Sequence, residues 1–130
     1  MSKSKKKKIL SIAKMLLERG AAPNKRDGDG RTPIYRAVLA GNPEIVSLLL
    51  AHGAKPNIKD DNGTTPLSKT YDFDTMKILL EAGADPNVPA NKGGPMLLEY
   101  WQNTLREMKN DYYKEGYRKI IELLKRHGAK

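Results

Sequence analysis

Residues 27–57 decide the fold of this chain, and they read DGDGRTPIYRAVLAGNPEIVSLLLAHGAKPN. The opening Asp-Gly-Asp-Gly is turn sequence, because glycine accepts positive φ angles and aspartate side chains bond to their own backbone. Thr32 and Asn42, each followed by proline, start helices, because their side chains accept from free N–H groups of the first turn. Gly41 and Gly53 end those helices. The stretch therefore predicts a turn, a short helix, a turn, a longer helix and a final turn.

The longer helix carries an apolar stripe at helical spacing, formed by Ile45, Val46, Leu48 and Leu49. Neither helix is long enough to be stable alone in water. The unit must therefore pack against neighbouring units, as the repeats of a solenoid do.

The end of this unit recurs along the chain, which is the strongest internal sign of a repeat. A helix-stopping Gly-Ala pair occurs at four places, which begin at Gly20, Gly53, Gly83 and Gly128. The first three pairs continue into Pro-Asn, and the spacing of the asparagines is 33 and then 30 residues, at Asn24, Asn57 and Asn87.

From residue 9 to residue 130 the chain resembles the ankyrin-repeat family. The resemblance rests on Gly-x-Thr-Pro-Ile/Leu at Gly30 and Gly63, on the Leu-Leu-x-x-Gly-Ala helix endings and on the 33-residue spacing. It implies an all-α solenoid of stacked helix-turn-helix units with hairpin-like turns, and a non-enzymatic module that binds another protein. The family usually has a histidine that ties neighbouring hairpins together, and this chain has Tyr35, Ser68 and Leu97 at those positions.

The repeats predict a division of the chain into a flexible basic arm, residues 1–8, and an ankyrin-repeat domain, residues 9–130. The first helix, predicted over residues 9–18, resembles the second helix of a repeat that lacks its first helix. Either Lys14 and Glu18 shield it as a polar cap, or the chain is cut from a longer array, as a structural fragment or engineered scaffold would be. The half repeat, the complete repeat, the short repeat and the extended last repeat cover residues 9–24, 25–57, 58–87 and 88–130.

Later helices are less regular. Asp72 or Asp74 is expected to cap the second helix of the short repeat. In the last repeat Asn110 marks a turn, unless the helix continues through Tyr113. The predicted helices cover residues 66–71, 73–82, 95–110 and 117–126.

The net charge of the chain is +9, from 24 Lys and Arg against 15 Asp and Glu, and five of the lysines lie in residues 1–8. Such a run is typical of a solvated tail, of a nuclear-import signal or of a nucleic-acid-binding arm. A nucleic-acid-associated protein that uses this arm is therefore the alternative function. The chain has no cysteine and no apolar run of about 18 residues, so we expect a cytoplasmic or nuclear protein with no membrane span, monomeric when unbound.

The family resemblance implies a partner-binding surface formed by the hairpin tips and the concave helix face. Transferred by position, it comprises Arg26, Asp29, Arg31, Leu39, Lys59, Asp61, Asn62 and Asp72. A second candidate surface is the aromatic insert of the last repeat, because Tyr and Trp bury much area at low entropy cost. Its predicted contact residues are Trp101, Tyr112 and Tyr113. The alternative is that the insert packs on its own repeat and closes the end of the stack.

No arrangement of residues predicts catalysis, a metal or a cofactor. His52 and His127 precede equivalent helix-stopping glycines and have no nucleophile motif beside them. Residues 27–30 resemble the start of a calcium loop but lack its final acidic ligand, and Gly93-Gly94 lacks the lysine of a phosphate loop. We therefore expect no enzyme, and an unidentified protein as the partner.

Overall fold

The computed structural model describes residues 3–130, which form six α-helices and two short 3-10 segments. The helices are α1 (Lys3–Glu18), α2 (Pro33–Leu39), α3 (Pro43–Ala51), α4 (Phe73–Glu81), α5 (Leu97–Glu107) and α6 (Lys114–Arg126). The 3-10 segments are Pro66–Lys69 and Asp111–Tyr113. The predicted all-α class is confirmed.

The helices form two rows. In the outer row, α1 packs on α3, α3 on α4 and α4 on α6. In the inner row, α2 packs on its own outer helix α3, the Pro66–Lys69 segment packs on α2 and α4, and α5 packs on α6. This is the helix-turn-helix stack that the repeated sequence predicts.

Polar side chains begin the helices where the sequence predicts them. Thr32 accepts from the N–H of Tyr35 at 3.4 Å, and Asn42 accepts from the N–H of Ile45 at 3.3 Å. Asp72, one of the two predicted caps of α4, accepts from the backbone N–H of Thr75 at 3.0 Å. Each cap satisfies a donor that the first turn leaves free.

The core lies between the two rows and continues from unit to unit. In α3, Val46 is fully buried and Leu49 is 5% exposed, as the apolar stripe predicts. Ile45 and Leu48 are only half-buried. The side chains that join the units inside the stack are Ile34, Leu67, Met76, Leu79, Leu97 and Leu124, each no more than 1% exposed.

Each junction between units contains one asparagine, which joins its own turn to the corresponding turn of the next unit. Each side-chain amide donates to the carbonyl of the next helix-stopping glycine and accepts from the N–H two residues further on. For Asn57 the bonds measure 3.0 Å to Gly83 O and 2.8 Å from the Asp85 N–H. The equivalent sets are Asn24 with Gly53 and Lys55, and Asn87 with Gly128 and Lys130. We call these contacts the asparagine ladder.

The first helix begins earlier than predicted. α1 begins at Lys3 and not at residue 9, so residues 3–8 continue the helix where the sequence predicted a flexible arm. Lysine is a good helix former, and no glycine or proline separates the lysine run from Ile9. Residues 1–2 of the predicted arm lie outside the described residues.

In the short repeat, the predicted helix over residues 66–71 is a single 3-10 turn, Pro66–Lys69. Thr70 already has the extended ψ angle of 138°. The repeat is three residues shorter than the one before it, so the chain must extend at once to reach the start of α4.

The last repeat also differs at its helix ends. α5 covers Leu97–Glu107 and not residues 95–110, because Ala90 donates to Pro95 O and Leu97 to Val88 O, which holds the chain extended before the helix. The turn at Asn110 is confirmed, since its side chain accepts from the N–H of Tyr112 at 2.9 Å. α6 begins at Lys114, three residues before the predicted start.

Truncation of Leu49 to alanine should lower the free energy of unfolding by about 2–5 kcal/mol, because it leaves a cavity at a site where the core cannot readily collapse. Leu48→Ala removes the same atoms from a half-buried site of the same helix, and its loss should be clearly smaller. Urea denaturation followed by far-ultraviolet circular dichroism measures both losses. Equal losses would contradict the burial of Leu49 toward the next unit.

Asn57→Ala removes one of the three contacts of the asparagine ladder. It should lower the free energy of unfolding by about 1–2 kcal/mol, because two hydrogen bonds between units are lost. Asn62→Ala is the matched control, since the Asn62 side chain is exposed at a hairpin tip. The same urea titration compares the two variants. If Asn62→Ala destabilises as much as Asn57→Ala, the ladder does not hold the units together.

Candidate protein-binding surface

The hairpin tips of the first two full units are built around aspartates. The carboxylate of Asp27 accepts from the N–H groups of Asp29 and Arg31 at 2.9 and 3.1 Å. In the next unit Asp60 accepts from Asn62 and Thr64 at 2.9 and 3.0 Å. These bonds join each aspartate side chain to the backbone of its own turn, which stabilises the conformation of the tip.

Neighbouring tips are bonded directly to each other. Arg26 donates to Gly30 O in its own hairpin and to Lys59 O in the next, both at 3.0 Å, and lies 3.7 Å from the carboxylate of Asp61. The Asp61 N–H donates to Asp29 O at 3.1 Å. Gly30 has a φ angle of 76°, which favours glycine because other residues rarely adopt it, and a Cβ there would also displace the side-chain ends of Asp61 and Arg26.

The charges at the first tip are largely paired. Arg36 donates to Asp27 at 2.7 Å and to Asp29 at 3.0 Å. The backbone N–H of Arg31 and then the Arg36 guanidinium lower the pKa of Asp27. The predicted contact residues Arg26, Asp29 and Asp61 therefore take part in this network, while their side chains stay at least half exposed.

Tyr35 makes the connection between hairpins that a histidine usually makes in this kind of repeat. Its ring is fully buried, and its hydroxyl donates to Asp60 at 2.9 Å and lies 2.8 Å from the Thr64 hydroxyl. The guanidinium carbon of Arg31 lies 5.0 Å from the ring centroid, and its Nε lies 3.6 Å from Asp60. Arg31, a predicted contact residue, thus already interacts with Tyr35 and Asp60 inside the protein.

Burial by itself would raise the pKa of Asp60, whose side chain is 2% exposed. Hydrogen bonds donated by the Thr64 backbone and the Tyr35 hydroxyl outweigh that cost and lower the pKa to about 2, from the ordinary value of 3.8. The ionised carboxylate is therefore part of the folded structure at neutral pH. Burial also raises the pKa of Tyr35, which keeps its hydroxyl proton available as a donor.

A groove of about 500 Å³ opens where the short repeat leaves room. It brings together the predicted contact residues Leu39 and Asp72. Leu39 is 46% exposed on one wall, and Tyr71 is 65% exposed on the other. The remaining lining residues are Val38, Gly41, Lys69, Thr70 and Thr75. The groove exists because Thr70 is extended and the first helix of that repeat is only one turn long.

The aromatic residues of the last repeat have two different roles. Trp101 is 1% exposed, so the prediction that it contacts a partner is corrected. Its ring packs edge-on against Tyr71, Tyr100 and Tyr117, at centroid distances of 5.9, 5.8 and 5.1 Å. This is the alternative in which the insert packs on its own repeat.

Tyr112 and Tyr113 project from the second 3-10 segment and are 82% and 57% exposed. Their rings pack edge-on at 4.9 Å, so they form one exposed aromatic pair. Lys59 and Asn62, the other predicted contact residues, are exposed at the second hairpin tip. Apart from buried Trp101, the predicted residues thus fall into three places: the hairpin tips, the groove and the aromatic pair.

Tyr71 is not among the contact residues predicted from the sequence, although its position in the chain could have indicated it. It lies just before the Asp72 cap, where three residues are absent relative to the preceding repeat. Burial raises the pKa of Tyr71, and the nearby Tyr100 raises it further. Both effects agree with the packing of the Tyr71 ring against the aromatic residues of the last repeat.

Across residues 3–130 no three His, Cys, Asp or Glu side chains come together in a way that could hold a metal ion. None of the helices in that part of the chain is both long enough and apolar enough to cross a membrane.

A family model described as ankyrin repeats (3 copies) matches residues 1–90. The chain belongs to the ankyrin-repeat family. Ankyrin repeats are generally protein–protein interaction modules, and the family is typically non-enzymatic. The match ends before α5, whereas the asparagine ladder continues the ankyrin stack through Asn87 to Lys130. A search of curated proteins finds no match to the chain.

Asp60 should make stability depend on acid pH. Its folded pKa of about 2 lies below its ordinary 3.8, so its contribution is complete above pH 3.8 and is lost as the pH falls toward 2. The difference in unfolding free energy between the natural chain and Asp60→Asn should therefore shrink across this window in urea titrations. Asp74→Asn controls for the loss of one exposed carboxylate, and a constant difference for Asp60→Asn would contradict the assignment.

Proposed function

We propose that the chain is a non-enzymatic module that binds a segment of a partner protein in the groove between Leu39 and Tyr71. The observation that carries the proposal is the groove itself, with two exposed apolar side chains on facing walls. Tyrosine is among the residues that most often carry binding energy at interfaces, because its ring buries a large area. A partner side chain that is apolar fits between the two walls.

The polar groups of the groove supply orientation. Lys69 and Asp72 bring one positive and one negative charge to the same lining. A bound segment can therefore place its apolar side chain between Leu39 and Tyr71 and its polar groups against these two residues. Such a combination of apolar area with a few polar groups favours one binding orientation over others.

The groove walls are held by the fold before any partner arrives. Asp72 caps α4 through both the N–H and the hydroxyl of Thr75, and the Tyr71 ring packs on Trp101. Lys69 is positioned by a 3.3 Å hydrogen bond to Asn91. Walls that are already ordered reduce the entropy lost on binding.

The hairpin tips and the aromatic pair extend the proposed surface. Lys59 and Asn62 present exposed side chains beside the bonded tip network. Tyr112 and Tyr113 offer a separate exposed apolar area. These residues are proposed as supporting contacts.

A cytoplasmic or nuclear location stays a prediction of the sequence.

Nucleic-acid association is the second candidate, because α1 carries the lysine run on exposed helix positions. The two functions predict a different dependence of binding on salt concentration. Binding through lysines to phosphates weakens steeply as salt rises, since each contact releases counterions. Binding in the Leu39–Tyr71 groove depends mainly on apolar area and should change little with salt.

Affinity capture from nuclease-treated source-cell lysate tests the groove. The double variant Leu39→Ala/Tyr71→Ala should retain the captured protein at least about tenfold less well than the natural chain, because the two apolar walls are removed. Tyr112→Ala/Tyr113→Ala truncates two exposed aromatic side chains elsewhere and should reduce capture less. Melting curves of all three chains exclude unfolding as the cause.

Two results would contradict the proposal. Capture that survives in Leu39→Ala/Tyr71→Ala but is lost in Tyr112→Ala/Tyr113→Ala would assign recognition to the aromatic pair. Capture that disappears with nuclease or moderate salt, and that requires the lysines of α1, would favour the nucleic-acid function.

A further inference from the structure

The corner between α1 and α2 is unlike the rest of the stack. In the complete units an inner helix packs on its outer helix, as α2 does on α3 and α5 on α6. α1 belongs to the outer row and packs on α3, and none of its residues is buried. Across residues 3–130, no inner helix precedes α2 to pack on α1 in the same way.

A cavity of about 230 Å³ marks this corner. Lys6 and Ile9 line it from α1, and Ala37 of α2 and Ala40 just after α2 line the other side. Asn42 and Ile45 close its base. The two alanines leave room for another backbone to approach α2 closely, as small residues do at helix–helix contacts.

An apolar stripe runs along α1 beside the cavity. Ile9, Ile12 and Leu16 are 38%, 52% and 52% exposed, and their spacing places them on one face of the helix. Met15 next to them is 42% exposed. Half-buried Leu17 packs against the core on the other side. A helix with apolar residues on both sides is typical of one that packs against two neighbours.

Most of the charges around the corner are positive, with Glu44 of α3 as an exception that lines an adjoining pocket together with Lys3, Lys6 and Lys7. Lys3, Lys6, Lys7 and Lys8 lie in the first six residues of α1, and no acidic residue lies in its first turn. Lysines three or four positions apart repel one another, and positive charge at a helix N-terminus opposes the helix dipole. Negative charge brought by a partner would relieve both effects.

We propose that the corner between α1 and α2 docks an acidic amphipathic helix of a partner protein. Its apolar face would cover Ile9, Ile12 and Leu16, and its acidic residues would face the lysines. A second copy of this chain brings the same lysines and a net charge of +9, which opposes self-docking. Phosphates gain nothing from the apolar stripe, and a flat bilayer does not reach into a corner.

A displayed library of helices tests this docking site. The helices have 16 residues, the length of α1, with apolar residues fixed on one face and Glu, Lys or Gln allowed elsewhere. Selection on the natural chain should enrich Glu-rich helices. Ile12→Glu should weaken a selected helix at least about tenfold, because it places a charge inside the apolar contact.

Matched controls separate the corner from general effects of charge. Met96→Glu introduces the same residue at a 40% exposed apolar position outside the corner and should leave helix binding unchanged. Lys6→Glu/Lys7→Glu should weaken binding by about tenfold, whereas Lys119→Glu/Lys125→Glu on α6 makes the same charge change with little effect. Circular dichroism confirms that each variant is folded.

The proposal is overturned if no helix is enriched, if the enriched helices are Lys-rich or uncharged, or if Ile12→Glu leaves their binding intact. It is also overturned if the natural chain dimerises through Ile12, or if Ile12-dependent adsorption to vesicles of phosphatidylcholine and phosphatidylserine in equal amounts displaces the helices. The groove is a separate surface, so either proposal can fail while the other stands.

Discussion

One asparagine side chain at each junction holds neighbouring units of this protein together. Asn24, Asn57 and Asn87 each donate to one turn carbonyl and accept from one turn N–H of the following unit. The helices of a unit have only 7 to 16 residues, too few to be stable in isolation. They persist because each unit covers the apolar face of the next, and the asparagines set the distance and angle at which the faces meet.

The hairpins add a second connection of a different kind. Buried Tyr35 reaches the ionised Asp60 of the next hairpin, and Arg26 reaches the carbonyl of Lys59. A charged carboxylate is tolerated at this depth because it accepts three hydrogen bonds from the protein. The side chains of the tips are therefore largely paired, which leaves the groove, the aromatic pair and the α1–α2 corner as surfaces with exposed apolar side chains.

The groove arises from a departure from the repeat. The groove forms because the short repeat replaces an inner helix with one 3-10 turn, and the corner forms beside an outer helix that has no inner partner in the described chain. The longer last repeat has the opposite effect, since Trp101 fills its interior and Tyr100 and Tyr117 pack around it. Irregularity thus opens the stack at the short repeat and fills it at the last repeat.

The amino-acid sequence by itself determined the repeat, its helix starts and its turns, because these depend on local chemistry: Thr32, Asn42 and Asp72 cap helices, and glycine ends them. It also marked Leu39 and Asp72 as candidate contacts. Only the tertiary structure decided that Trp101 is buried, that Tyr71 faces a groove and that Tyr35 bonds to Asp60. Those outcomes depend on which faces of different units meet, and residues 25 or more positions apart make the deciding contacts.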